Sequence, residues 1–324
     1  MSGSSRVTVV GEVLVDLLWR YGARQVEPVP GGSPANVAVG LHRLGRQATL
    51  VTAWGDDAPG AMVQAHLEGQ GLDVRRTASA SGRTTIALAH LDAEGSASYD
   101  FLAAWDPTDL VVPDDTAVLH TGSLAVVVEP GASQVLRLCR ALHGAPGRAV
   151  VADLNVRPQV QPDRDAYRAA CLRLAGVTDV VKASDEDLGW LFPDLEPVAA
   201  ARLLLAAGPR LVVVTLGGDG ALAVTADTEV RVGAPEVAVA DTVGAGDAFQ
   251  AALLDALAAH AAGSADVPFP LPLSPEGLVA VLTRCAAAAA LNCTRVGADP
   301  PSGAELDAVC RIGAAPPPSG PGAG

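Results

Sequence analysis

The 324-residue sequence is short of positive charge: 22 basic residues stand against 36 acidic ones, giving a formal net charge of −14, and no run of like charge builds a basic face. Nucleic acid and anionic membranes, which need clustered cations, are poor partners for such a surface. Lysine occurs once, at Lys182, and every other basic residue is arginine. With the enrichment in Ala, Gly and Val, this reads as compositional bias rather than a functional signal. The cysteines Cys139, Cys171, Cys285, Cys293 and Cys310 are odd in number and include no Cys-x-x-Cys. That argues against a disulfide framework and for small buried thiols in a reducing compartment. The apolar run after Arg6 is too short for a signal peptide, and no stretch approaches 18 uninterrupted apolar residues, so the expected location is the cytoplasm. His42, His66, His90, His120, His143 and His260 are scattered without His-x-His or His-Glu-x-x-His, so no metal-ligand cluster is expected. There is no internal repeat of fixed period.

What is present is a globular composition, 49% hydrophobic and 18% charged, with length for two domains or one large α/β domain. Short β-branched runs at 7–10, 48–52, 117–120, 149–153, 177–182 and 211–215 alternate with helical stretches at 35–44, 58–69, 134–143, 165–174, 198–207, 247–260 and 275–292. The alternation predicts a parallel sheet covered by helices, with ligands at the carboxyl ends of its strands. Two segments break the rhythm. Residues 83–101 read as two extended arms around an Asp92-Ala-Glu-Gly95 turn, and 12–30 alternates without helical period. Together they predict either a small β flap over the ligand edge or a plain antiparallel extension of the sheet. The Pro-rich stretch 263–275 is expected at the surface, and the Pro/Gly tail 313–324 is expected to be disordered.

The strongest local signal is Asp241-Thr242-Val243-Gly244-Ala245-Gly246-Asp247-Ala248-Phe249, which follows the apolar run Val237–Ala240 and opens an Ala-rich helix. A strand passing through a glycine loop into a helix leaves backbone N–H groups aimed outward at the positive end of the helix dipole, an anion site. Asp247 beside such an anion is useful as a proton acceptor from an attacking hydroxyl. An ordinary glycine turn with Asp247 capping the helix is the alternative. The loop lacks Gly-Lys-Ser/Thr, so it is not a Walker loop, and it lacks the third glycine of a dinucleotide fingerprint. A second glycine-opened helix begins at Pro30-Gly31-Gly32-Ser33-Pro34-Ala35-Asn36. With Asp16 before it, Asn36 offers a donor and an acceptor suited to sugar hydroxyls, unless both are merely a helix-start residue and a solvated strand residue.

These two motifs together, two hundred residues apart, resemble the ribokinase family of carbohydrate kinases, also called the pfkB family, over nearly the whole chain. The resemblance implies one ribokinase-like α/β domain over 1–312 with a β lid from about 12–30 and 83–108. It also implies transfer of the ATP γ-phosphoryl group to a sugar hydroxymethyl, with Mg²⁺ and a monovalent cation such as K⁺ as candidate ions. Asp247 is then similar to the family's base, and Gly244, Ala245 and Gly246 to its anion hole. Asp16, Gly31, Gly32 and Asn36 fall where the family binds sugar, and Thr215, Gly217, Gly218, Gly220 and Asn292 on its nucleotide side. For these last the duller alternatives are a hairpin turn and a helix C-cap. Arg157, in Asp153-Leu154-Asn155-Val156-Arg157, matches fructokinase-like members and has a guanidinium suited to oxyanions.

One departure stands out: the family's Asn-x-x-Glu reads Ser184-Asp185-Glu186-Asp187 here. Mg²⁺ is then expected through water from Asp187 or Glu186. Gly-Gly-Ser-Pro-Ala-Asn in place of the ribokinases' Gly-Gly-Lys-Gly-Ala-Asn favours fructose as substrate. Ribose, 2-keto-3-deoxygluconate and aminoimidazole riboside are the alternatives, and a silent sugar- or nucleotide-binding regulator is a further one. The expected partners are a small sugar and ATP, with no nucleic acid or membrane, and the lid edge offers a surface for a homodimer.

Overall fold

The computed structural model describes residues 6–92, 97–262, 264 and 268–313. The chain runs β1 (Arg6–Val10), β2 (Leu14–Arg20), β3 (Glu27–Gly31), α1 (Ser33–Arg43), β4 (Ala48–Trp54), α2 (Ala58–Gln70), β5 (Asp73–Ala78), β6 (Thr85–Leu91) and β7 (Ala97–Leu102). It continues through β8 (Thr116–Gly122), α3 (Gly131–Leu142), β9 (Ala149–Asp153), α4 (Arg164–Ala175), β10 (Val180–Ser184), α5 (Asp185–Leu191) and α6 (Pro197–Ala207). It ends with β11 (Leu211–Thr215), β12 (Ala221–Val224), β13 (Glu229–Val232), α7 (Ala245–His260), α8 (Pro275–Cys293) and α9 (Gly303–Gly313).

Nine strands form the main sheet in the order β13-β12-β11-β10-β9-β8-β1-β4-β5. The pairs from β5 to β11 are parallel, and β12 and β13 close one edge antiparallel. Its strands are apolar on both faces because both are covered. In β1, Val7 and Val9 face one core and Val10 the other; in β11, Val213 opposes Val212 and Val214. One core holds Leu41 of α1, Val63 of α2, Leu253 of α7, Leu282 of α8 and Leu306 of α9. The opposite core holds Val135 of α3, Tyr167 of α4, Leu188 of α5 and Leu204 of α6. Helix α8 is long and apolar enough by composition to cross a bilayer, but it serves as a core helix, burying Leu278, Leu282 and Cys285 against α7.

The segments 12–30 and 83–101 form a separate four-stranded sheet, β3-β2-β6-β7, and not an extension of the main one. Its β2 and β6 run parallel and its outer pairs antiparallel. The expected turn after Asp92 lies largely outside the described residues, as do residues 314–324 of the tail and most of 263–267. Strand β10 begins at Val180 rather than 177, because Val177 and Thr178 turn back to donate to the Leu174 and Ala175 carbonyls. The run Val237–Ala240, expected as a strand, is open loop. Its valines Val237 and Val239 face solvent and gain no sheet packing, and Ala240 N–H donates to the Cys293 carbonyl.

Helices α1 and α7 lie close enough that a β-carbon on Gly40 would stand 2.7 Å from the Ala251 methyl. Gly40→Val should therefore cost about 1–3 kcal/mol through overpacking. Gly69→Ala, where a β-carbon meets open space, should raise stability by roughly 0.5 kcal/mol. Urea unfolding of the two variants checks both; equal effects would contradict the close α1–α7 approach.

Candidate active site

Helix α7 starts from Gly244, whose φ of 78° is left-handed and whose β-carbon would stand 2.6 Å from the Ala298 methyl. Only glycine fits that corner. Ala248 N–H makes the first bond of the helix, to Gly244 O, and Ala245 N–H closes a turn onto Thr242 O. Gly246 and Asp247 thus occupy the first turn, where backbone N–H groups lack helical partners. Asp247 does not cap its own helix. Its carboxylate reaches across to the start of α1, accepting from Ser33 Oγ at 2.6 Å and from Asn36 Nδ2 at 2.8 Å. Burial pushes this carboxyl above its ordinary range, and the two donated hydrogen bonds pull it back. Helix α1 is itself preceded by Gly32, at φ 113°, whose missing β-carbon leaves room for the Glu12 carbonyl.

Both helix starts open onto a cavity of about 680 Å³ at the carboxyl ends of the main-sheet strands, as the α/β pattern anticipates. Of the residues expected to contact sugar, Asp16, Gly32, Asn36 and Arg157 line it, whereas Gly31 stands behind Asp16. Burial raises the Asp16 carboxyl to about 6, against the opposing pull of Arg157. Asp16 and Arg157 also perturb the Tyr99 phenol electrostatically. Tyr99 and Phe101 of β7 stack at 6.2 Å and form the cavity's aromatic wall on the lid side. Arg157 is half-buried and donates to Val156 O, so it is not a free surface arginine.

Across the cavity, Gly244 and Gly246 line the wall and Ala245 does not. Thr215 ends β11 at the cavity, but Gly217, Gly218 and Gly220 form the hairpin to β12 and lie outside the lining. Asn292 is buried in the last turn of α8, where Nδ2 donates to Val243 O at 2.7 Å. It braces the glycine loop from behind instead of lining the cavity. Glu186 is exposed on the rim. Asp187 is buried, and its two oxygens accept from Val156 N and Ser184 N in a capping box that starts α5. The serine that departs from the expected asparagine is thus the N-cap of a helix absent from the periodicity reading. Among the described residues no three His, Cys, Asp or Glu side chains cluster as a metal site. A divalent ion here would accordingly depend on ligands arriving with it, which fits one carried on phosphate oxygens.

Several lining residues carry no motif signal. Ser33 lies inside the Gly-Gly-Ser-Pro-Ala-Asn stretch and could have been singled out as a hydroxyl at a helix start. Glu12, Tyr99, Phe101 and Trp190 come together only through the fold, and Lys182, which opens the stretch through Ser184 and Asp187, joins them there. Trp190 is held edge-on to Tyr167 at 5.5 Å. His120 points away from the cavity, against Val151 O and Gln250, and burial depresses its imidazole to about 3.

Comparison with known proteins places this geometry. Residues 4–304 match the pfkB family of carbohydrate kinases. A fructokinase of Rhizobium leguminosarum bv. trifolii is 35% identical over 260 residues, 76% of this chain and 78% of that protein. The crystal structure of a fructokinase double mutant from Vibrio cholerae O395, with fructose, ADP and potassium bound, superposes with a TM-score of 0.77. It is 27% identical and the match covers 95% of this chain and 99% of that one. Aminoimidazole riboside kinase of Salmonella enterica, with aminoimidazole riboside and an ATP analogue bound, also reaches 0.77, at 26% identity over 94% of this chain and 99% of its own.

Glu12, wholly buried beneath the cavity, accepts from Leu124 N and Ala125 N, and burial raises its carboxyl to about 7 from an ordinary 4.5. A group held above its unfolded value favours folding fully below about pH 4.5 and loses that contribution as pH rises through about 7. Glu12→Gln should therefore flatten the decline in stability between pH 5 and 8, roughly bracketing that titration. Parallel urea titrations at several pH values check it, and an unchanged slope would show that Glu12 stays ionised in the fold.

Proposed function

The chain belongs to the pfkB family of carbohydrate kinases, and on that premise we propose that it transfers the γ-phosphoryl group of ATP to the primary hydroxyl of fructose. The observation that carries this reading is the half-buried Asp247 carboxylate, set at the start of α7 beside glycines whose first-turn backbone N–H groups lack helical partners at the cavity wall. Fructose lies against Asp16, Gly32 and Asn36, with Gly31 backing Asp16 and Arg157 closing that end. The sugar hydroxyl gives its proton to Asp247 as its oxygen bonds the γ-phosphorus and the bond to the ADP oxygen breaks. Ser33 and Asn36 hold the carboxylate in register for that transfer. The helix start at Gly244, Ala245 and Gly246 faces the charge developing on the phosphoryl oxygens.

Thr215 and the hairpin at Gly217, Gly218 and Gly220 border the nucleotide, with Asn292 supporting the loop. A Mg²⁺ ion arriving with ATP would be met by Glu186, and by Asp187 through water; its chemistry is neutralisation of phosphate charge. A monovalent cation such as potassium is proposed as an activator, as one is bound in the Vibrio cholerae relative. The small sheet acts as a lid that excludes water when sugar binds. Location in the cytoplasm, self-association through the lid edge, and the absence of nucleic-acid and membrane partners complete the reading.

A second substrate is favoured by one observation. The stacked Tyr99 and Phe101 give the cavity an aromatic wall suited to a flat ring, and a structural relative binds aminoimidazole riboside.

Asp247→Asn tests the chemistry directly. Turnover should fall by about three or more powers of ten, comparable to removing a group essential to proton transfer together with its charge, while fructose binding by calorimetry persists. Near-normal turnover would remove Asp247 from the role.

A further inference from the structure

Lys182, the sole lysine, ends up in an unusual place. It sits on β10 with its side chain 5% exposed, its ammonium 2.6 Å from Asp153 Oδ2. That ammonium lies 3.7 Å from where a β-carbon on Gly246 would stand, so it abuts the glycine loop at the start of α7. Arg157 and Lys182 are the two cations among the described residues that line the cavity, and the Arg157 charge acts on Asp16 at the end where sugar is placed. A chain of net charge −14 must admit a polyanionic nucleotide into a cavity bordered by Asp16, Glu186, Asp187 and Asp247. The cation beside the anion loop is therefore the one placed to offset that repulsion.

The pair with Asp153 does not account for the lysine. A buried ion pair is weak evidence for stability, because desolvating both charges offsets their attraction unless the remaining lone pairs and protons are bonded. Here they are not. Asp153 Oδ1 is buried without a hydrogen-bond partner. Of the three N–H donors on the ammonium, the bond recorded among the described residues goes to Asp153. Lys182 therefore lines the cavity with donor capacity that Asp153 does not use.

We propose that Lys182 is a further catalytic residue, its ammonium donating hydrogen bonds to the non-bridging oxygens of the transferring phosphoryl group; this rests on the kinase reading given above. Lys182 itself transfers no proton in this step. The hydroxyl proton goes to Asp247, the new bond forms between the sugar oxygen and phosphorus, and the electron pair of the broken bond leaves on ADP. Asp153 is a positioning residue that keeps the ammonium aimed at the loop before nucleotide arrives.

Three variants separate this from a purely structural pair. Lys182→Met should lower kcat by about 10²- to 10³-fold, the usual loss for one preorganised charge-stabilising donor. It should also lower the melting temperature, since Asp153 is left buried and unpaired. The double variant Asp153→Asn with Lys182→Met should recover the melting temperature but not kcat, whereas Asp153→Asn alone should keep kcat well above the double variant. Recovery of wild-type kcat in the double variant, or an equal loss in all three, would overturn the proposal.

An independent readout exploits the single lysine. Labelling with [ε-¹³C]lysine gives one carbon signal, which should shift when Mg²⁺ and a non-hydrolysable ATP analogue bind. An unmoved signal, with analogue binding verified by calorimetry and the wild type active on fructose or aminoimidazole riboside, would overturn the role of Lys182 alone. A wild type inactive on every sugar would instead bring down the kinase reading on which the proposal rests.

Discussion

The site depends on one half-buried carboxylate shared between two helices. Asp247 belongs to α7, yet its two oxygens are held by Ser33 and Asn36 of α1. A carboxylate partly withdrawn from water is costly unless its oxygens are hydrogen-bonded. The starts of α1 and α7 must therefore meet at one point, and much else in this half of the molecule serves that meeting. Gly40 allows the helices to touch at Ala251. Arg46 binds Asp255 at 2.7 Å and locks the far ends of the same pair. Gly32 and Gly244 adopt left-handed backbone so that each helix can begin where it does. Asn292 and Asp241 brace the turn before α7, through Val243 O and Gly297 N respectively.

Charge organisation follows from the same point. The cavity gathers carboxylates whose burial raises them, Glu12 to about 7 and Asp16 to about 6, with Asp187 and Asp247 also shifted upward. Three are met by directed donors, backbone N–H groups for Glu12 and Asp187 and side chains for Asp247, while Asp16 feels the Arg157 charge. Lys182 and the exposed N–H groups of the α7 start then form the local positive end of an otherwise acidic wall. A carboxylate and unpartnered backbone N–H groups thus stand within one helical turn, the pairing on which the proposed phosphoryl transfer to a hydroxyl relies.

Much of this was legible in the sequence because the chemistry is local. Glycines flanking an aspartate at a helix start, and Gly31-Gly32 before Asn36, announce two helix N-termini from composition alone. The alternation of β-branched runs with helical stretches announced the parallel sheet, and 83–101 announced the hairpin of the small sheet. What stayed hidden depends on contacts between distant segments. That Asn36 bonds Asp247, 211 residues away, leaves no periodic trace. The scarcity of lysine reads as compositional bias, and nothing in Val181-Lys182-Ala183 signals that Lys182 faces Asp153 from the next strand. Val237–Ala240 misled for the opposite reason: its β-branched run looks like a strand, but no neighbour covers it. Helix α5 was missed because seven residues are too few for a period, although Ser184 and Asp187 had the spacing of a capping box.

Coupled ADP release with Mg-ATP across fructose, ribose, 2-keto-3-deoxygluconate, glucose and aminoimidazole riboside tests the central claim most directly. The account predicts a clear preference for fructose, with kcat/KM above about 10⁴ M⁻¹s⁻¹ as is usual for an enzyme on its own substrate. A preference for aminoimidazole riboside would reassign the substrate while keeping the chemistry. No ADP above background with any of the five would contradict the account and leave the cavity as a binding site.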